Sequence, residues 1–159
     1  MTFDPRSFRD ALGFFATGVT IVTGRNRDND PIGATVSSFN SVSLDPPLVL
    51  FSLDHNSETL APLKETGRCL INVLSEGQED LSNKFAKSGA VSWEGVDYQT
   101  WDSGCPVLPG ALASFECSVF ATHPGGDHEI FVAQVERFET DGDGRPLLFH
   151  GGRYGRLAD

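Results

Sequence analysis

Two apolar spacings alternate along the chain, one helical and one strand-like. Phe8, Ala11, Leu12 and Phe15 recur at helical intervals behind Asp4-Pro5, where Asp caps and Pro suits the first turn. This predicts a short amphipathic helix over residues 5–16, ended by Gly18. Residues 19–23 then read as a strand, 25–31 as a polar turn, and 32–38 as the returning strand of a hairpin. Residues 47–53 are almost wholly apolar and predict a third strand. A helix opens over 56–60 and ends near Gly67, and 68–74 is again a strand. Ser75 and Gln78 have the spacing of a capping box ahead of a helix that turns Leu81 and Phe85 inward. Residues 88–110 look irregular. Two long β runs follow, 112–122 and 129–139, joined by a turn at 123–127, and the turn at 141–144 leads to a last strand at 146–149.

Strands mostly in hairpins, with helices as short inserts, predict a mainly β chain with short helices: an antiparallel barrel in one domain over residues 1–159. A doubly wound sheet is disfavoured because strands and helices do not alternate. The chain contains no GxGxxG, GxxxxGK[ST] or GxSxG, so the usual dinucleotide and hydrolase signatures are missing. Asp141-Gly-Asp-Gly144 mimics the start of a calcium loop but lacks the later Glu ligand, which makes it a tight turn. No pair of histidines has metal-ligand spacing.

A chain of 159 residues is long enough to bury roughly 70% of its unfolded surface. Its formal charge of −10 opposes nucleic acid and anionic membranes, so an anionic ligand needs a local pocket of N–H groups and a few placed cations. Three cysteines without CxxC spacing point to a reducing compartment, and we expect a cytoplasmic protein. Cys69 and Cys117 sit in apolar runs as small core residues, whereas Cys105, between Gly104 and Pro106, is expected to be the exposed one.

Six hydroxyl side chains crowd around one apolar strand: Thr35, Ser37, Ser38, Ser41, Ser43 and Ser52. Taken singly, such residues decorate a solvated strand face or a turn. Together they suit a ligand with two ends. A phosphate wants converging donors, most readily backbone N–H groups at a helix start, and residues 54–59 lie between a strand and a helix with Ser57 and Thr59 at hand. A planar heteroaromatic ring wants a strand edge and apolar walls, which Thr35-Val36-Ser37-Ser38 supplies.

Several segments, in order, resemble the flavin reductase-like family, the FMN-binding split-barrel reductases of two-component flavin-dependent monooxygenases. They are residues 8–23, Gly33-Ala-Thr-Val-Ser-Ser-Phe39, Ser41-Val-Ser-Leu-Asp-Pro-Pro-Leu48, Asn72-Val-Leu74, Gly126-Asp127-His128 with Ile130-Phe-Val132, and Gly152-Arg-Tyr154. The resemblance implies an antiparallel split β-barrel, a homodimer, FMN or FAD as the flavin and NADH or NADPH as hydride donor. It implies flavin contacts at Thr35, Val36, Ser37, Ser38, Ser52, Leu53, Asp54, Ser57, Thr59, Phe85, Ala86 and Lys87. His128, Arg153 and Tyr154 would border the nicotinamide, with His128 the catalytic candidate. A non-catalytic flavin-binding or electron-transfer protein of the same fold would need the hydroxyls but not His128 and Tyr154.

Overall fold

The computed structural model describes residues 2–158. Its elements are α1 (Pro5–Leu12), β1 (Thr17–Gly18), β2 (Thr20–Arg25), β3 (Pro31–Val36), β4 (Asn40–Leu44), β5 (Pro47–Asp54), α2 (Leu60–Thr66) and β6 (Arg68–Val73). There follow a 3-10 turn (Glu76–Gln78), α3 (Glu79–Phe85), β7 (Gln99–Thr100), β8 (Pro106–Val107), β9 (Ala113–Gly125), β10 (His128–Thr140), β11 (Leu148–His150) and β12 (Arg153–Gly155). Seven strands form one antiparallel sheet in the order β3-β2-β6-β9-β10-β5-β4. A second sheet joins β1, β11 and β12, and β7 pairs with β8.

The large sheet curls around a shared interior. Val22 of β2, Phe51 and Leu53 of β5, Ile71 of β6, Cys117 of β9 and Phe131 of β10 pack into one buried cluster, with Leu63 of α2 among them. Phe51 and Phe131, directly opposite in register, stack with ring centroids 5.0 Å apart. β2 is buried on both faces because Ile21 packs into a second cluster with Val19, Leu74, Phe85, Leu108 and Leu147. That double burial explains why the neighbours Ile21 and Val22, which point to opposite faces, are both apolar.

The sheet ends at β3 on one side and β4 on the other, so these strands leave the barrel split. Ser38 stitches the gap: its Oγ accepts from the Ser52 N–H at 2.8 Å and donates to the Ser52 carbonyl at 3.2 Å. A hydroxyl thus takes the place of a ladder bond where β4 no longer reaches β5.

Several expectations need correction. α1 stops at Leu12, and none of its residues is buried; Phe14 and Phe15 beyond it are 81% and 79% exposed. Helical periodicity reports a two-sided face and not what covers it. The helix expected from residue 56 begins at Leu60, because Asp54 Oδ1 accepts from the Asn56 N–H at 2.7 Å and holds the intervening residues in a turn. Cys105 is buried, since the neighbouring Pro106 carbonyl is drawn inward by the buried Thr23 hydroxyl at 2.6 Å. The turn expected over 123–127 narrows to Gly126-Asp127, with Gly126 at φ +75, so His123 lies on β9. β4 and β12, which short polar or glycine-rich segments conceal, are additional strands.

Candidate functional site

The split in the barrel opens into a cleft of about 480 Å³, within the size range of small-molecule sites. β3 and the bend after it form one wall through residues 33–38. The end of β5 contributes Ser52, Leu53 and Asp54, and the turn before α2 contributes Asn56, Ser57, Glu58 and Thr59. Phe85, Ala86 and Lys87 at the end of α3, which packs against β3, extend the wall, and His128 enters from the start of β10, where it pairs in register with Asp54.

All twelve residues expected around a flavin line this one cleft, as does His128. Arg153 and Tyr154 do not. Arg153 is exposed on β12, and the Tyr154 hydroxyl bonds to α3, 2.8 Å from Ser82 Oγ and 3.1 Å from Asn83 Oδ1. Of the six crowded hydroxyls, Thr35, Ser37, Ser38 and Ser52 reach the cleft. Ser41 and Ser43 lie on β4 outside its lining, and Ser43 Oγ accepts from the Asp45 N–H in the following turn.

The hydroxyls divide between structure and ligand. Thr35 Oγ1 donates to the Ser82 carbonyl at 2.7 Å, tying β3 to α3, and Ser38 spans the split. Ser37 is exposed. The turn at 54–60 differs from the expected nest of free N–H groups. The N–H groups of His55, Ser57 and Leu60 go to the carbonyls of Asp127, Asp54 and Ser57, and those of Asn56 and Thr59 to Asp54 Oδ1 and Ser57 Oγ. The side-chain donors lining this end of the cleft include the hydroxyls of Ser57 and Thr59 and the Lys87 ammonium.

For a heteroaromatic ring the fit is different in kind. β3 is the last strand of its sheet, so its outer backbone edge is available for hydrogen bonding while Val36, Leu53 and Phe85 supply apolar wall. Phe85 is held there edge-on to Trp93, centroids 4.8 Å apart, and Gly33 allows the approach: a Cβ at Gly33 would lie 3.0 Å from the Phe85 ring. The donor set and volume therefore suit a flavin's edge, chain and phosphate.

His128 Nδ1 lies 2.7 Å from Asp127 Oδ1. This hydrogen bond, and then the charge of the imidazolium when it forms, holds the Asp127 carboxyl below its ordinary value of 3.8. A carboxylate on Nδ1 selects the tautomer with the proton there, which leaves Nε2 as the acceptor for a ligand.

Gly33, Ala34, Asn56 and Glu58, which lie in the expected strand and turn segments without being singled out, also line the cleft, and so do Ser88, Gly89 and Val91, which were not foreseen. Only Gly33 carried a signal, since a glycine inside a strand often marks a close approach. The 88–91 segment joins the site because Trp93 anchors the loop in the second cluster.

The chain matches the flavin reductase like domain family over residues 12–158. It is 48% identical to the FMN reductase (NADH) SmoA of Agrobacterium fabrum, covering 96% of this chain and 86% of that protein. It is 39% identical to the flavin-dependent monooxygenase reductase subunit HsaB of Mycobacterium tuberculosis, covering 95% and 81%. Its fold is similar to the NADH:FAD oxidoreductase of Streptomyces globisporus solved with NAD and FAD fragments. That match has a TM-score of 0.91 and 35% identity, over 99% of this chain and 97% of the other.

Proposed function

This chain belongs to the flavin reductase-like family, and from that premise we propose that it is an NAD(P)H:flavin oxidoreductase. It oxidises NADH in preference to NADPH, reduces FMN or FAD, and supplies reduced flavin to a flavin-dependent monooxygenase. The observation that carries this reading is the cleft in the barrel split, where a free strand edge, apolar walls, hydroxyls, Lys87 and His128 converge.

A bound flavin would supply the hydride acceptor and NAD(P)H the donor, so the protein need supply no nucleophile. The chain's part is to bind and orient. The β3 edge at Thr35–Ser38 meets the ring, against Val36, Leu53, Phe85 and Ala86. Ser37, Ser52 and Asp54 face the hydroxylated chain, and Ser57, Thr59 and Lys87 take the phosphate. His128, steadied by Asp127, would present Nε2 as an acceptor to the nicotinamide. Such positioning raises the effective concentration of the reacting partners without new chemistry.

The unit acts as a cytoplasmic homodimer. Phe8, Leu12, Phe14 and Phe15 leave an apolar surface at α1 that a second copy covers, and Val42, Leu44, Phe120 and Phe138 extend apolar exposure over the sheet. None of the helices among the described residues is long and apolar enough to cross a membrane. Steady-state oxidation of NADH and NADPH with FMN, FAD and riboflavin tests the activity, and no oxidation with any flavin overturns it. Light scattering tests the dimer, and a monomer that turns over contradicts it.

A further inference from the structure

We propose that Tyr154 is a positioning residue that sets the flavin-facing wall of the cleft through α3, and not a nicotinamide contact. This rests on the flavin reading above. The Tyr154 hydroxyl lies 3.1 Å from Asn83 Oδ1, which accepts from it, and 2.8 Å from Ser82 Oγ, where either oxygen can donate, so its one hydrogen is spent on α3 in either arrangement. A phenol engaged in this way has no proton for a ligand. Its ring is fixed edge-on by Phe149, centroids 5.4 Å apart at 68°. Phe149 pairs with Thr17 of β1 on one side and Tyr154 of β12 on the other, so the small sheet delivers the phenol to α3.

Ser82 carries the effect to the cleft. It is fully buried in a helix interior, where serine is a poor helix former and needs a reason to be. Its carbonyl accepts from two residues that line the cleft: Thr35 Oγ1 at 2.7 Å and the Ala86 N–H at 3.0 Å. One serine therefore bonds the phenol through its side chain and two parts of the cleft wall, β3 and the end of α3, through its backbone. The β11–β12 hairpin, none of whose residues lines the cleft, sets the spacing between the β3 edge and Phe85–Lys87.

The test is Tyr154→Phe, with Ser82→Ala removing the same bond from the other side. Binding of FMN and riboflavin is read by quenching of flavin fluorescence, KM and kcat for NADH at saturating flavin, and the melting temperature by calorimetry. Loosening of the α3 wall by the loss of these bonds, an indirect effect equivalent to about one neutral hydrogen bond, predicts roughly three- to tenfold weaker binding of both flavins, with KM for NADH unchanged. Thr35→Val should weaken flavin less in the Tyr154→Phe background than in wild type, because both act through Ser82. A raised KM for NADH with flavin binding intact would make Tyr154 a nicotinamide contact and overturn the proposal. Unaltered binding with only a lower melting temperature would reduce it to a structural bond and overturn it equally. Wild-type protein that bound no flavin would instead overturn the reading of the site itself.

Discussion

Replacing Ser57 by alanine isolates the phosphate end of the cleft. The N–H groups of His55, Asn56, Ser57, Thr59 and Leu60 already have acceptors, so in the proposed placement of the phosphate the Ser57 hydroxyl, the Thr59 hydroxyl and Lys87 would share the anion. A hydrogen bond to a charged group contributes about 1.5–3 kcal/mol. The loss should fall at the lower end, because Ser57 Oγ also accepts from the Thr59 N–H at a long 3.3 Å, and the variant frees that donor for the phosphate. About 1.4 kcal/mol corresponds to tenfold in Kd. FMN binding should therefore weaken about tenfold in Ser57→Ala, while riboflavin, which has no phosphate, should change by less than about twofold on the same reasoning. Titrating flavin fluorescence at fixed ionic strength measures both. Equal weakening of the two flavins would refute the placement of the phosphate at residues 54–59.

His128→Ala should leave flavin titrations unchanged and raise KM for NADH; unaltered kinetics would return His128 to a hairpin residue. Gly33→Ala should weaken every flavin alike, because its Cβ would meet the Phe85 ring at 3.0 Å and Trp93 at 3.3 Å and displace the wall, as comparison of FMN and riboflavin titrations will show. Asn72→Ala should cost about 3 kcal/mol in urea unfolding, since Asn72 Oδ1 accepts from the buried Leu108 N–H at 2.9 Å and Ser114 Oγ at 3.2 Å, and an orphaned buried group costs about 1–3 kcal/mol. The Asp127–His128 bond depresses the Asp127 pKa, so its contribution is full above the ordinary 3.8 and is lost as pH falls through the lower folded value; an NMR titration of Asp127 with a midpoint at or above 3.8 would contradict this. Cys69 and Cys105 are buried with thiol pKa values raised, by the Cys117 hydrogen bond at Cys69 and by desolvation at Cys105. Alkylation at pH 8 should therefore be slow until the chain is denatured.

Local pattern determined much of this protein. The β-branched residues of β2, the hairpin signals and the strand preferences of β5, β9 and β10 are properties of neighbours in sequence, and periodicity reads neighbours well. The ordered motifs also carried the cleft residues, because strand, turn and helix ends must each be built from residues close along the chain. What periodicity does not encode is the partner of each side chain. Thr35 and Ser38 look alike on paper, yet one ties β3 to α3 and the other spans the split; only the curl of the sheet brings Ser52 and Ser82 within reach of them. Cys105 looked exposed beside glycine and proline until Thr23, far away in sequence, drew the segment inward. The N–H groups of His55, Asn56, Ser57, Thr59 and Leu60 looked free, and their acceptors became visible only with the fold of the turn. Tyr154 lay in a motif that suggested a ligand, and three-dimensional contact gave its hydroxyl to Ser82 and Asn83. Which residues form an element is largely a matter of local sterics and hydrophobic spacing. Which polar group satisfies which depends on contacts between distant segments, and the tertiary structure alone decides it.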